Sequence, residues 1–141
     1  TYGPSIRVPF CPESLLSGIH THFPEGSCLW YKRSFTLPAD FTRGRVLLHI
    51  GAADQSLICY VNHQKAGEHL GGYHNITVDI TPYLQETNTL EFCCRDDLRD
   101  LSQPYGKQTM NRGGMWYTPV SGIWQSVWKI SDFLFMAMSA I

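Results

Sequence analysis

The sequence predicts an all-β fold, an antiparallel β-sandwich, and three observations lead to that prediction. Apolar and polar residues alternate over several short segments, which is the periodicity of a half-buried strand. No long segment has the helical period of 3.6 residues. Turn-forming residues separate the alternating segments at regular distances, as they do in sandwiches and barrels.

Six segments carry the alternation, and each places its larger apolar side chains on one face. The predicted strands are residues 28–37, 45–51, 56–62, 75–80, 89–95 and 123–130. The predicted inward-facing residues of the middle four are Val46, Leu48, Ile50, Leu57, Cys59, Val61, Ile76, Val78, Ile80, Leu90, Phe92 and Cys94. In the last segment Trp124 and Trp128 share a face, and their strand spacing favours packing in the core or against another domain over a sugar platform.

Turn signals lie between these segments. Residues 38–40 follow the first strand, residues 62–65 resemble a hairpin turn, and two consecutive glycines break the chain at 71–72. Thr81 followed by Pro82 predicts one helical turn, with Thr81 as its N-cap and Pro82 at the first helical position.

The composition limits the classes of function. With 141 residues the chain has the size of one domain with a hydrophobic core, and few charges with many aromatics argue against disorder. The formal net charge is −1 and no basic block exists, so no nucleic-acid partner is expected. The apolar segment 133–141 is too short to span a bilayer as a helix, so no membrane partner is expected either.

Five cysteines, an odd number with no CxxC pair, favour reduced thiols acting as small buried apolar groups. Reduced thiols favour a location in the cytoplasm. The histidine pairs at 20 and 22 and at 69 and 74 lack companion ligands at metal-site spacing, so neither a metal nor another cofactor is expected.

Six strings, taken in order, resemble a known family. They are residues 8–14 (VPFCPES), 30–38 (WYKRSFTLP), 48–54 (LHIGAAD) with Val61 and Asn62, 67–73 (GEHLGGY) with 79–81 (DIT), 104–108 (PYGKQ) and 115–125 (MWYTPVSGIWQ). Together they resemble the N-terminal sugar-binding domain of glycoside hydrolase family 2, the family of β-galactosidases and β-glucuronidases.

The resemblance implies a jelly-roll β-sandwich of the galactose-binding type over residues 1–129, followed by an apolar tail at 130–141 that is truncated or departs from the family. It also implies that the chain alone is not an enzyme. Its partners would be an immunoglobulin-like domain and a TIM barrel, and the barrel would carry the catalytic glutamates that act on β-linked glycosides.

Candidate sugar-binding residues lie in the two stretches that lack periodicity, because flat aromatic rings and planar polar groups recognise sugars. These residues are Glu13 and Ser14 in one stretch and Asn111, Arg112, Trp116 and Tyr117 in the other. Motif residues expected to have structural roles are Asp54, His69, Gly71, Gly72, Tyr73 and Asp79.

The sequence departs from the family pattern at two informative positions. His63 occupies the place of the usual hairpin glycine, where a left-handed backbone costs energy. Gly114 stands where β-galactosidases often carry an aspartate directed at the sugar, so galactose specificity does not carry over.

Three functions therefore remain: a scaffold domain that meets carbohydrate weakly or only beside its barrel, an autonomous carbohydrate-binding module, or an interaction domain without sugar chemistry. The last alternative includes self-association through the tail.

Overall fold

The computed structural model describes residues 3–98 and 102–132, and within these ranges the chain forms nine strands and three short 3₁₀ turns. The strands are β1 (Cys28–Phe35), β2 (Val46–Ile50), β3 (Ala53–Asp54), β4 (Ser56–Val61), β5 (Gln64–Leu70), β6 (Ile76–Asp79), β7 (Asn88–Arg95), β8 (Gly122–Ile123) and β9 (Val127–Ser131). The 3₁₀ turns span Leu15–Ser17, Ala39–Thr42 and Thr81–Tyr83.

The strands form two main antiparallel sheets. One sheet has the order β1-β7-β4-β5, and the other has the order β6-β2-β9. The short strands β3 and β8 pair with each other. The predicted all-β sandwich is confirmed.

Apolar side chains from both sheets form one core. All twelve residues predicted to face inward are buried, and Tyr31 and Ile123 join them. Full burial of a side chain such as Leu48 or Leu57 contributes about 1.5–3 kcal/mol. The alternation in the sequence therefore located the core correctly.

Strand β5 was not among the predicted strands. Among the described residues it pairs only with β4, and most of its side chains are half-buried or exposed. Because β5 buries so little, its sequence lacks the apolar alternation of the strands that face the core, including β6, which also lies at a sheet edge.

The hairpin turn between β4 and β5 has two residues with positive φ, Asn62 at 51° and His63 at 64°. The cost of the left-handed backbone at His63, expected from the sequence, is offset by a contact of its Nδ1 with Glu91 Oε2 at 2.9 Å. The largely buried Glu91 also pairs with Lys32 Nζ at 3.2 Å. Polar groups across the sheet therefore hold a turn that lacks glycine.

The helical turn predicted at Thr81 is present, but its predicted cap is wrong. Thr81 is the first residue of the turn, and Asp79 Oδ1 accepts a hydrogen bond from its backbone N–H at 3.0 Å. The Thr81 hydroxyl instead accepts from the N–H of Val46 at 2.8 Å. These bonds give Asp79 and Thr81 a structural role that joins β6 to β2.

The strand predicted over residues 123–130 is in fact two strands, β8 and β9, separated by a bend at 124–126. The Trp124 indole N–H donates to the carbonyl of Gly72 at 2.9 Å, which holds the bend. Trp128 remains 43% exposed, so core packing is wrong for Trp128, and the other predicted alternative, packing against another domain, stays a prediction.

The boundary expected at residue 129 falls inside β9, which pairs with β2 as far as Ser131. At the end of this β2–β9 ladder the Arg45 N–H donates to Asp132 Oδ1 at 2.7 Å, and the Arg45 Nε lies 3.0 Å from Asp132 Oδ2. We propose that the domain extends at least to Asp132. The remainder of the predicted tail, 133–141, lies outside the described residues.

All five cysteines are unpaired. Cys59 and Cys94 are buried as expected, but Cys28 is exposed and Cys11 and Cys93 are half-buried. Among the helices of the described residues, none is long and apolar enough to cross a membrane.

Candidate functional site

An exposed loop carries four of the candidate sugar-binding residues, Asn111, Arg112, Trp116 and Tyr117. Its base is closed by the backbone of Tyr117, whose N–H donates to the carbonyl of Lys107 at 2.7 Å and whose carbonyl accepts from Thr109 at 3.0 Å. Trp116 is 41% exposed and Tyr117 is 66% exposed. The loop therefore presents two aromatic rings to solvent. We call residues 109–117 the aromatic loop.

Two further bonds shape this loop. The Arg112 guanidinium donates to the Thr118 hydroxyl at 2.9 Å, and the Trp116 N–H donates to the Gly113 carbonyl at 3.1 Å. Gly114 has φ of 58° with open space around it. Glycine is favoured here because it adopts positive φ without strain, and not because a side chain would clash. Asn111 is exposed at the tip.

Gln108 anchors the aromatic loop to the sandwich. Its amide nitrogen donates to the Tyr105 carbonyl at 2.8 Å and to Asp54 Oδ2 at 3.3 Å, and its amide oxygen accepts from the Val120 N–H at 2.6 Å. Gln108 and Asp54 are both nearly fully buried. The sequence predicts a structural role for Asp54 but not its partner Gln108, because the two residues lie 54 positions apart.

The two consecutive glycines lie next to the same carboxylate. A Cβ at Gly72 would overlap Oδ1 of Asp54, so only glycine lets the chain pass this close. Gly71 has φ of 115°, and its N–H donates to the Gln55 carbonyl at 2.8 Å. Burial raises the pKa of Asp54, and the Gln108 hydrogen bond opposes that rise.

His69 and Tyr73 flank the two glycines. The His69 ring lies edge-on to the ring of His74, with centroids 6.2 Å apart. Tyr73 is 49% exposed, and its ring meets Trp124 edge-on at 6.0 Å. Within residues 3–98 and 102–132 no cluster of three or more His, Cys, Asp or Glu has an arrangement that could hold a metal ion.

Glu13 and Ser14, the candidates from the other stretch, both bond to the protein itself. Glu13 Oε1 accepts from the Ser121 hydroxyl at 2.6 Å and Oε2 from the Ser121 N–H at 3.2 Å, a link between residues 108 positions apart. Ser14 Oγ accepts from the Leu16 N–H at 3.2 Å and caps the turn Leu15–Ser17. The structure thus joins the two aperiodic stretches through Glu13.

A small cavity lies beside this link and contains several carboxylates. Glu13, Glu25 and Asp96 line it, and its volume of about 20 Å³ is close to that of one water molecule. Burial, together with the negative charges of Asp54 and Glu13, raises the pKa of Asp96 to about 7. A cavity of this size does not admit a sugar ring.

Asp96→Asn is expected to change how stability depends on pH. The folded chain holds the Asp96 proton up to about pH 7, whereas the unfolded carboxyl releases it near 3.8. The contribution of Asp96 to the wild-type free energy of unfolding therefore falls as pH rises from about 4 to 7. At pH 8 the variant is expected to be more stable than wild type by about 1–2 kcal/mol, allowing for the partial exposure of this group.

Urea denaturation at pH 4 and pH 8 measures this effect, and the difference between variant and wild type should shrink towards pH 4. Asp40→Asn is the control, because that exposed carboxylate pairs only with Arg43 among the contacts of the described residues and a change below about 0.5 kcal/mol is expected. Equal differences at both pH values would contradict a raised Asp96 pKa.

A second concave surface, which sequence analysis missed, lies where the chain bends between β8 and β9. Its lining includes Tyr73, Asn75, Trp124, Gln125 and Trp128, and its volume is about 380 Å³. The spacing of Trp124 and Trp128 indicated a shared face, but the bend that opens the cleft has no signal in the alternation pattern.

No family model matches the chain. Among solved structures, it is similar to a β-glucuronidase from Bacteroides uniformis, with a TM-score of 0.62 and 31% identity over 75% of this chain and 12% of that one. It is also similar to Bacteroides uniformis β-glucuronidase 2 covalently bound to cyclophellitol-6-carboxylate aziridine, with a TM-score of 0.59 and 32% identity over 75% of this chain and 12% of that one.

A β-glucuronidase from Ruminococcus gnavus in complex with a C6-substituted uronic isofagomine matches with a TM-score of 0.61 over 76% of this chain and 20% of that one; its 24% identity shows the fold alone. The chain thus spans between about one eighth and one fifth of the length of these enzymes. The family resemblance drawn from the six strings is confirmed. The chain is thus similar, over about three quarters of its length, to a β-sandwich domain within solved β-glucuronidases.

Proposed function

We propose that this chain is a non-catalytic domain of a glycoside hydrolase that acts on β-linked glycosides, and that its aromatic loop borders the substrate site of a catalytic barrel. The observation that carries the proposal is the anchored aromatic loop: Trp116 and Tyr117 are exposed, yet Gln108 and Asp54 hold the base of their loop. The similarity to β-glucuronidase domains supports a hydrolase as the whole protein.

The anchoring matters because ordering a loop at the moment of binding costs conformational entropy. A loop held in advance by buried hydrogen bonds avoids most of that cost. The small volume beside Glu13 and Asp96 supports a role for those carboxylates in joining loops, and supports a catalytic site elsewhere in the whole protein. An immunoglobulin-like domain and a TIM barrel remain the proposed neighbours.

The proposal is tested with the complete product of the gene that encodes this chain. Trp116→Ala and Tyr117→Ala are each expected to lower kcat/KM for a β-glucuronide by about tenfold, the loss of roughly 1–1.5 kcal/mol of aromatic contact. Trp30→Ala is the matched control, because Trp30 is 55% exposed on β1 and stacks on Tyr60. Unchanged kcat/KM in both loop variants would overturn the proposed role of the loop.

Gln108→Ala is expected to release the aromatic loop without unfolding the sandwich. The substitution removes three hydrogen bonds and leaves the Val120 N–H and the Asp54 carboxylate without the Gln108 amide, at a cost of about 2 kcal/mol. Chymotrypsin cleavage after Trp116 or Tyr117 should therefore be at least about tenfold faster. Gln64→Ala on the exposed edge strand should cleave at the wild-type rate, and equal rates for both variants would contradict the anchoring.

We also propose a reducing compartment such as the cytoplasm for this protein. Five unpaired cysteines, one of them exposed, support that location.

A further inference from the structure

The cleft beside the bend is lined by residues outside the aromatic loop. Its volume of about 380 Å³ falls within the range of small-molecule sites. Its lining residues are Gly51, Ala52, Tyr73, Asn75, Trp124, Gln125, Ser126 and Trp128. None of them belongs to the aromatic loop or to the cavity beside Glu13.

The three aromatic rings of the cleft are held in place by the protein. The Trp124 indole N–H donates to the Gly72 carbonyl at 2.9 Å, and Tyr73 meets Trp124 edge-on. The ring of Trp128 stacks on His49, with centroids 5.3 Å apart and an interplanar angle of 17°. His49 is in turn bonded to the Thr77 hydroxyl at 3.0 Å. The rings therefore need little reorganisation to receive a ligand.

The backbone beneath the cleft is also closely packed. The Gly51 N–H donates to the carbonyl of Ser126 at 2.9 Å, which joins the end of β2 to the bend. A Cβ at Gly51 would lie 2.7 Å from Cβ of Gln125, so glycine is needed there for the bend to approach. The position of Gln125 is therefore set by the fold.

The polar groups of the lining are amides and a hydroxyl. Asn75 and Gln125 each offer an amide donor and an acceptor, and Ser126 offers a hydroxyl. No Asp, Glu, Lys or Arg is among the described residues that line the cleft. Aromatic faces suit the C–H faces of a pyranose, and uncharged donors and acceptors suit its hydroxyls, whereas a carboxylate ligand would find no cation.

We infer that this cleft binds a neutral saccharide, at a site separate from the aromatic loop and independent of any catalytic barrel. The inference goes beyond the proposed function, because it requires binding by this chain alone. Tyr73 and Trp128, which are 49% and 43% exposed, supply the aromatic surfaces, and Asn75 and Gln125 supply the hydrogen bonds. We expect a millimolar Kd at a site this shallow.

The test uses the four tryptophans of the chain, Trp30, Trp116, Trp124 and Trp128. Their indole N–H signals in a nitrogen-15 correlation spectrum of the 141-residue chain are assigned by single Trp→Phe variants. The chain is then titrated with cellotetraose, xylotetraose, mannotetraose and galactobiose, each to about 10 mM, which would nearly saturate a site of millimolar Kd. Glucuronic acid at the same concentration is the charged comparison.

Saccharide binding in the cleft is expected to move the signals of Trp124 and Trp128 and to leave those of Trp30 and Trp116 unchanged. Trp128→Ala should then reduce affinity at least tenfold, whereas Trp30→Ala should not change it. No movement with any of the four sugars would overturn the inference, and movement of the Trp116 signal alone would place sugar at the aromatic loop instead. Signals of Trp124 and Trp128 that move on dilution without sugar would assign the cleft to a second copy of the chain and equally overturn it.

Discussion

Gly122→Ala is expected to lower the free energy of unfolding by about 3 kcal/mol or more, a large fraction of the stability of a domain of this size. Gly122 has φ of 71°, and a Cβ at this position would overlap the hydroxyl oxygen of the buried Tyr31. Leu29 Cδ1 would lie only 3.2 Å away. The backbone strain contributes about 1 kcal/mol and the overlap in the core contributes the rest. Urea denaturation measures the loss.

Substitutions at two other glycines separate the cost of backbone strain from the cost of overlap in the core. Gly114 also has positive φ but open space, so Gly114→Ala isolates the backbone strain, and Gly113 has open space with no positive φ, so Gly113→Ala should cost little. The double variant Tyr31→Phe with Gly122→Ala should recover part of the loss, because the overlapping oxygen is removed. Equal costs for Gly122→Ala and Gly114→Ala would show that the contact with Tyr31 is not a constraint.

Asn62→Ala is expected to destabilise the domain by about 2–4 kcal/mol. The Asn62 amide nitrogen donates to the Tyr83 carbonyl at 2.8 Å and to Asn88 Oδ1 at 3.0 Å, while its oxygen accepts from the Thr89 N–H at 2.8 Å. Asn88 is fully buried and would lose its Asn62 partner. Asn62 also has φ of 51°, a conformation that asparagine tolerates better than alanine. Thermal and urea unfolding report the loss.

Asn62→Gly keeps the permissive backbone and removes only the amide, so it should cost about 1 kcal/mol less than Asn62→Ala. A cost below about 0.5 kcal/mol for both variants would mean that the turn does not depend on this network. The same network explains why an asparagine follows the β4 strand in the sequence: its amide closes the end of the sandwich where β4, β7 and the Thr81–Tyr83 turn meet.

The core could be predicted from the sequence because a strand with one buried face has apolar residues at every second position. Leu48, Leu57 and Phe92 are buried where alternation placed them. Strand β5 buries few of its side chains, so its sequence shows little alternation. The bend at 124–126 depends on the Trp124 bond to Gly72, a contact between residues 52 positions apart.

The candidate site likewise has features that the sequence predicts and features that it does not. Residue types alone indicate Trp116 and Tyr117 as candidate sugar-binding residues, and in the structure both side chains are exposed. Residue types also indicate Glu13 as a sugar ligand. They do not predict the hydrogen bonds between Glu13 and Ser121, because that pairing depends on how two distant loops meet. The cleft at Trp128 was missed for the same reason. Contacts between distant segments depend on the tertiary structure. Local periodicity in the sequence does not predict them.

We propose that this domain serves glycoside hydrolysis without performing it. The most direct test compares the purified 141-residue chain with the complete gene product, assaying both for hydrolysis of p-nitrophenyl β-glucuronide and β-galactoside. We expect turnover by the complete product on at least one of these β-linked substrates and no turnover by the chain alone. Turnover by the chain alone that disappears in Asp96→Asn would contradict it, because the carboxylates beside Glu13 would then be catalytic.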